Sequence, residues 1–128
     1  MTMLSGRCLC GTIRFTVPTP SRFEVCHCDD CRRWHGASAI GIDLTIVTLT
    51  SGETALRWFN SSPPVERGFC GTCGSSLFYL AKRDPRRWSV FHGALKDVPK
   101  SIPLGPQHFI GRRPSLYRIE GWSDQRAV

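Results

Sequence analysis

The sequence predicts a mostly β domain of short strands, and two observations carry that reading. Brief apolar and β-branched stretches recur with turn residues between them. The 128 residues also include 12 glycines and 9 prolines, which punctuate a chain into strands and turns. Thr12-Ile13-Arg14-Phe15-Thr16-Val17 alternates, with Ile13, Phe15 and Val17 on one face and Pro18 as its end. Phe23 to Cys28 reads as a second strand. Asp29 to His35 fits one or two helical turns, with Asp29 as cap and Gly36 as stop. Ser38 to Asp43 and Thr45 to Thr50 are strands rich in branched and apolar residues, followed by a turn at Ser51-Gly52. Leu56 to Phe59, Val65 to Phe69, Leu77 to Leu80 and Trp88 to His92 continue the series. Pro99 to Pro106 carries three prolines and is expected to be an irregular loop. No repeat, low-complexity tract or linker divides the chain, so residues 1–128 are expected to form one domain.

Composition narrows the function classes. Hydrophobic residues make up 41% and charged residues 21%, ordinary values for a globular soluble protein. The longest apolar stretch, Ala37 to Ile42, is stopped by Asp43 and is too short to span a membrane, so no membrane partner is expected. The first residues, Met1 to Arg7, lack the pattern of a secretion signal, and a cytoplasmic, reducing location is expected. There, closely spaced cysteines bind metal more often than they form disulfides, and an odd total of seven suits full pairing poorly.

The formal charge of +7 sets 17 Lys and Arg against 10 Asp and Glu. Ionising all seven thiols subtracts seven and two Zn²⁺ ions add four, which leaves +4. Part of the basicity is thus counter-charge. The arginine pairs Arg32-Arg33, Arg86-Arg87 and Arg112-Arg113 are scattered and form no stripe for a nucleic acid, which is not the expected partner. They suit an anionic small molecule, because guanidinium grips carboxylate at two points.

Three clusters carry the chemistry: Cys8-Leu9-Cys10, Cys26-His27-Cys28-Asp29-Asp30-Cys31 and Cys70-Gly71-Thr72-Cys73-Gly74. A C-x-x-C turn followed by glycine lets two sulfurs face one ion while backbone amides point at them. The plainer alternative is a turn with two buried thiols. On a strand, side chains at i and i+2 leave one face, so Cys8 can approach an ion with Cys10, and Cys26 with Cys28, while His27 points away. Cys31 can return a third sulfur to the Cys26–Cys28 ion. Cys8, Cys10, Cys70 and Cys73 then close a structural tetrahedral Zn²⁺ site, with Zn–S near ~2.3 Å. A rival grouping, a zinc ribbon of Cys28, Cys31, Cys70 and Cys73, strands Cys8, Cys10 and Cys26. The four-plus-three division is preferred and gives two Zn²⁺ per chain, one structural and one catalytic.

A three-thiolate site keeps one position for water, a substrate thiol or another protein ligand. Three thiolates make the ion a weak Lewis acid, suited to holding a fourth thiolate as nucleophile. Chemistry on a thiol is therefore expected, with Cys26, Cys28 and Cys31 as the candidate catalytic residues.

Gly6-x-Cys8-x-Cys10-Gly11 leading into Ile13-Arg14-Phe15, then Cys26-His27-Cys28-x-x-Cys31-Arg32, then Arg67-Gly68-Phe69-Cys70-Gly71-Thr72-Cys73-Gly74-Ser75-Ser76-Leu77 resemble the glutathione-dependent formaldehyde-activating enzyme family. The resemblance runs over about residues 5 to 120. It implies a zinc-bearing β-tent fold and a carbon–sulfur lyase activity that joins formaldehyde to glutathione as S-hydroxymethylglutathione. By motif it implies Cys8, Cys10, Cys70 and Cys73 as structural zinc ligands and Cys26, Cys28 and Cys31 as catalytic ones. Gln107-His108-Phe109-Ile110 fits the family's histidine segment, and Leu116-Tyr117 stands where a tryptophan is looked for.

The expected function is thus a zinc-dependent carbon–sulfur lyase-like enzyme acting on a thiol adduct, such as glutathione plus an aldehyde, with the thiol at the three-cysteine zinc. Arg32 or Arg33 would hold a substrate carboxylate, and His35 and His108 are candidate proton shuttles. For each of these an ordinary surface or hydrogen-bonded role is the alternative, and more so for His92. Trp34, Trp58, Phe59 and Trp88 are candidate pocket residues, with core packing the preferred reading for most of them. The alternative function is a non-catalytic zinc module that binds protein or nucleic acid, its second site closed by His35 or His108 or left empty, and its basic face built from Lys82, Arg83, Arg86 and Arg87, a run interrupted by Asp84. A third reading is thiol redox sensing by Cys26, Cys28 and Cys31 without metal.

Overall fold

The computed structural model describes residues 2–83, 87–119 and 126–127. The strands are β1 (Met3–Arg7), β2 (Arg14–Pro18), β3 (Phe23–Cys26), β4 (Ala39–Leu44), β5 (Thr48–Ser51), β6 (Leu56–Ser62), β7 (Val65–Cys70), β8 (Ser76–Ala81), β9 (Arg87–Phe91), β10 (Leu104–His108) and β11 (Arg126–Ala127), with one helix, α1 (Asp29–His35). They form a three-stranded sheet, β1-β2-β5, and an eight-stranded sheet, β11-β10-β3-β4-β9-β8-β7-β6. The fold is mostly β, as composition and alternation predict. Pairing is antiparallel except where β10 lies parallel to β3 and to β11. Among the described residues no helix is long and apolar enough to cross a membrane.

The alternation into β2 works as read: Ile13, just before the strand, and Val17 are 0% exposed and Phe15 1%. Phe15 meets Phe78 of β8 edge-on at 5.0 Å, which locks the small sheet against the large one. Trp58 and Trp88 complete the apolar layer around Phe78. Burying each such side chain contributes about 1.5–3 kcal/mol.

Several sequence expectations need correction. β1 was not expected, because Met3–Arg7 shows little apolar pattern; its inward positions are Leu4 and Gly6, and Gly6 packs under the Phe15 ring. β3 stops at Cys26, and the N-cap of α1 is Cys28, not Asp29: its sulfur accepts from the Cys31 N–H at 3.3 Å. Gly36 does stop the helix, at φ 85°. The stretch 99–106 is only partly irregular, since β10 begins at Leu104. A register break between Leu104 and Gln107 spares Pro106 the donor it lacks.

Gly52, in the turn read from the sequence, adopts φ +77°, and a Cβ there would sit 2.1 Å from the Thr12 carbonyl oxygen. Gly52→Ala is therefore expected to destabilise the fold by about 1–3 kcal/mol or more, read as a lower urea midpoint at unchanged slope.

Candidate metal centres

None of the seven cysteines forms a disulfide, and their sulfurs gather into two groups, each of which could hold a metal ion. Cys8, Cys10, Cys70 and Cys73 form one, Cys26, Cys28 and Cys31 the other, with sulfurs in each group within 4.8 Å of one another. The four-plus-three grouping thus appears in space, and the ribbon grouping does not.

The first group joins two tight turns. Cys8 and Cys10 lie after β1, in a turn closed by the Gly11 N–H bonding the Cys8 carbonyl, so strand alternation is not what brings them together. Cys70 ends β7, and the Thr72 and Cys73 amides donate to its sulfur at 3.4 and 3.5 Å. Gly74, at φ +82°, completes that turn. The Cys8–Cys10 and Cys10–Cys70 sulfurs are 3.6 and 3.9 Å apart. Four sulfurs about 2.3 Å from a central ion lie about 3.8 Å from each other, so these donors fit a tetrahedral thiophilic cation. Ser75 ties the halves together: its Oγ accepts from the Leu9 N–H at 2.9 Å and contacts Cys73 Sγ at 3.2 Å. The Ser75 hydroxyl is the leading cause that brings the Cys73 thiol down to about 5. Burial raises Cys8, while the Thr12 hydroxyl lowers Cys10.

The second group is built from the end of β3, the helix cap and the first turn of α1. Among the described residues no carboxylate or imidazole joins its three sulfurs. Instead they border a cavity of about 540 Å³ that also meets Arg67, Tyr79, Arg83, Arg87, His108 and Phe109. Hydrogen bonding to Cys26, with the Arg67 guanidinium as a further cause, brings the Cys31 thiol down to about 6; Cys26 moves up correspondingly. Phe109 adopts φ +55°, strained for an aromatic residue, and stands 55% exposed beside the cavity.

His27 points away from the sulfurs, as alternation predicts, and is 0% exposed. Its Nε2–H donates to Gln107 Oε1 at 2.8 Å, and its Nδ1 accepts from the Ser38 hydroxyl at 2.6 Å. Ser38 in turn is bonded by Tyr117. This buried relay fastens β10 behind the Cys26–Cys28 loop. Gln107 and Tyr117 gave no sequence signal for it, lying some 80 and 90 residues downstream.

The other candidates are sorted by the fold. Arg32 bonds Asp29 at 2.6 Å and the His27 carbonyl at 3.2 Å, so it braces the helix. Neither Arg32 nor Arg33 borders the three-cysteine cavity; the arginines there are Arg67, Arg83 and Arg87. His108 borders it, with Nε2 on the Glu24 carboxylate. His35 does not: it packs edge-on against Phe91 at 4.1 Å, and burial followed by Arg67 holds it neutral down to about pH 4. His92 packs on Phe23. Trp34 stacks on Phe59, which is 52% exposed, and donates to Ser76, while Trp58 packs on Trp88; none of the four borders the three-cysteine cavity. In the basic run, Lys82 pairs with Glu66 at 3.1 Å and Arg86 lies outside the described residues.

Comparison with known proteins sets this geometry in a family. A family model described as glutathione-dependent formaldehyde-activating enzyme matches residues 3–110. A Halomonas elongata protein, provisionally named as such an enzyme, is 28% identical across 97% of this chain and 85% of its own length. An uncharacterized lyase of Schizosaccharomyces pombe is 25% identical across 88% of this chain and 82% of its own. A Rhodobacter sphaeroides crystal structure shares the fold, with TM-score 0.61 and 24% identity over 79% of this chain and 99% of that one.

Proposed function

Because the chain belongs to the glutathione-dependent formaldehyde-activating enzyme family, and so to an enzyme class of lyase type, we propose that it is a zinc-dependent carbon–sulfur lyase acting on the adduct of a small thiol, such as glutathione, with an aldehyde. The observation that carries this reading is the difference between the two cysteine groups. One has four sulfurs around a common centre; the other has three, beside a cavity. In this proposal Cys8, Cys10, Cys70 and Cys73 hold a structural zinc, and Cys26, Cys28 and Cys31 hold a catalytic one. A zinc ion there would supply positive charge that keeps a substrate sulfur ionised at neutral pH.

The chain's own residues do the rest. Arg83 and Arg87, without a carboxylate partner among the described residues, receive substrate carboxylates at the cavity wall. In adduct formation the thiolate sulfur bonds to the aldehyde carbon, and the carbonyl π pair moves to oxygen, which takes a proton. In this proposal His108, with Nε2 on Glu24, supplies it and is recharged by the proton released when the substrate thiol ionises. In cleavage the same proton returns to His108. A nucleic-acid role finds less support, since Lys82 is paired and Arg83 and Arg87 face the cavity.

Zinc content of anaerobically purified protein, with S-hydroxymethylglutathione formation from glutathione and formaldehyde, tests the proposal. Two zinc ions per chain and a rate above the spontaneous one are expected; one zinc, or no acceleration over background, would overturn it. Arg87→Ala is expected to raise KM for glutathione about 10-fold with little change in kcat, the loss of one charge-assisted hydrogen bond.

A further inference from the structure

Arg67 is the most unusual charged residue in the molecule. It is only 4% exposed, and a buried guanidinium is strongly unfavourable without a counter-charge. Among the described residues its contacts include no carboxylate. Nε donates to Ser61 Oγ at 3.1 Å, the guanidinium lies 5.3 Å from the centroid of the Tyr79 ring, and Nη1 reaches Cys31 Sγ at 3.7 Å. The sheet builds this arrangement: Arg67 on β7 stands directly opposite Tyr79 on β8, and Ser61 comes from β6 on the other side. Such a grip needs a planar fork with separate N–H directions and a face for an aromatic ring, which lysine lacks. Among the described residues, the group of anionic character that Arg67 touches is therefore the sulfur set of the cavity.

We propose that Arg67 is the buried counter-ion of the Cys26–Cys28–Cys31 centre, a positioning residue that orients the Cys31 sulfur and sets the charge at which the centre accepts a divalent cation. The inference rests on reading those cysteines as a metal centre. Three thiolates and a dication leave one net negative charge, and Arg67 cancels it inside the protein. The four-cysteine group, which includes the exposed Cys10, meets solvent, and among the described residues its sulfurs bond Thr12, Ser75 and backbone amides, not an arginine. Loss of Arg67 should therefore separate the two groups.

The experiment uses the whole protein loaded with zinc and titrated with a competing chelator, for the wild type and for Arg67→Met, Arg67→Lys and Ser61→Ala. In Arg67→Met, which keeps most of the side-chain volume, the weaker site is expected to lose about 10–100-fold in affinity while the tighter site is unchanged. Arg67→Lys recovers part of the loss, and Ser61→Ala shows a smaller loss in the same direction. With Co²⁺ exchanged into the weaker site, the sulfur-to-cobalt charge-transfer band is expected to move to lower energy in Arg67→Met, because a nearby positive charge holds sulfur electrons more tightly. Unchanged affinity with an unmoved band overturns the proposal, as does equal weakening of both sites, which marks a structural role. If Arg67→Met does not fold, Ser61→Ala decides by the same two readings. A wild type that binds a single metal overturns the premise along with the proposal, and stoichiometry identifies that case before any variant is compared.

Discussion

Replacing Cys70 by serine is expected to leave the chain unable to reach its folded state. Cys70 is 0% exposed and belongs to the apolar core. Its sulfur collects two backbone amides and stands 3.9 Å from the sulfur of Cys10, so it joins the chain's first turn to one 60 residues later. Closing a loop of that length is costly for an unfolded chain, and a metal held at both ends offsets the cost. Structural zinc contributes about 10–16 kcal/mol in small zinc domains, comparable with or above the net stability of a domain this size. A serine hydroxyl is a poor ligand and would also be buried. Far-UV circular dichroism and zinc content check the expectation: a cooperatively folded Cys70→Ser protein that keeps both metals would refute it.

Cys28→Ser should separate chemistry from folding at the other group. Cys28 caps α1 by accepting from the Cys31 N–H, and serine is among the preferred caps, so the helix should survive. The sulfur is lost from the cavity. The expected protein is folded, holds one metal per chain instead of two, and loses about 100-fold or more in adduct formation, above the cost of disturbing an outer contact to a metal ligand. A Cys28→Ser protein with full activity and two metals would remove this group from the reaction.

The cysteine groups were legible because ligand spacing is local: C-x-C and C-x-x-C place sulfurs together with little help from the rest of the fold. The alternating strand at Ile13, Phe15 and Val17 was legible for the same reason. Cys28 as a cap was hidden by its neighbour Asp29, a commoner capping residue. β10 was hidden by three prolines, whose effect depends on a register break that only the partner strand reveals. Arg67 stood in the quoted motif, but its burial carried no signal because arginine is ordinarily exposed; that burial follows from the sixth and eighth strands flanking the seventh. Of the other cavity arginines, Arg83 follows β8 and Arg87 starts β9, distant in sequence from the cysteines they face. Arg32, the arginine adjacent in sequence, is occupied by Asp29.

The parallel docking of β10 on β3 sets Gln107 beside Val25 and His108 beside Cys26, more than 80 residues apart. Contacts of such separation form late and slow folding, because the intervening chain must be ordered first. On its far side, among the described residues, β10 is paired with the two residues of β11. The wall of the cavity that carries His108 therefore stands near one end of the large sheet, held to β3 by contacts of long sequence separation and by the His27–Gln107 bond. Amide exchange at Gln107 and His108 should report openings well below global unfolding, and each such opening would bare Cys26 and Cys28 to solvent while the four-cysteine knot stays tied.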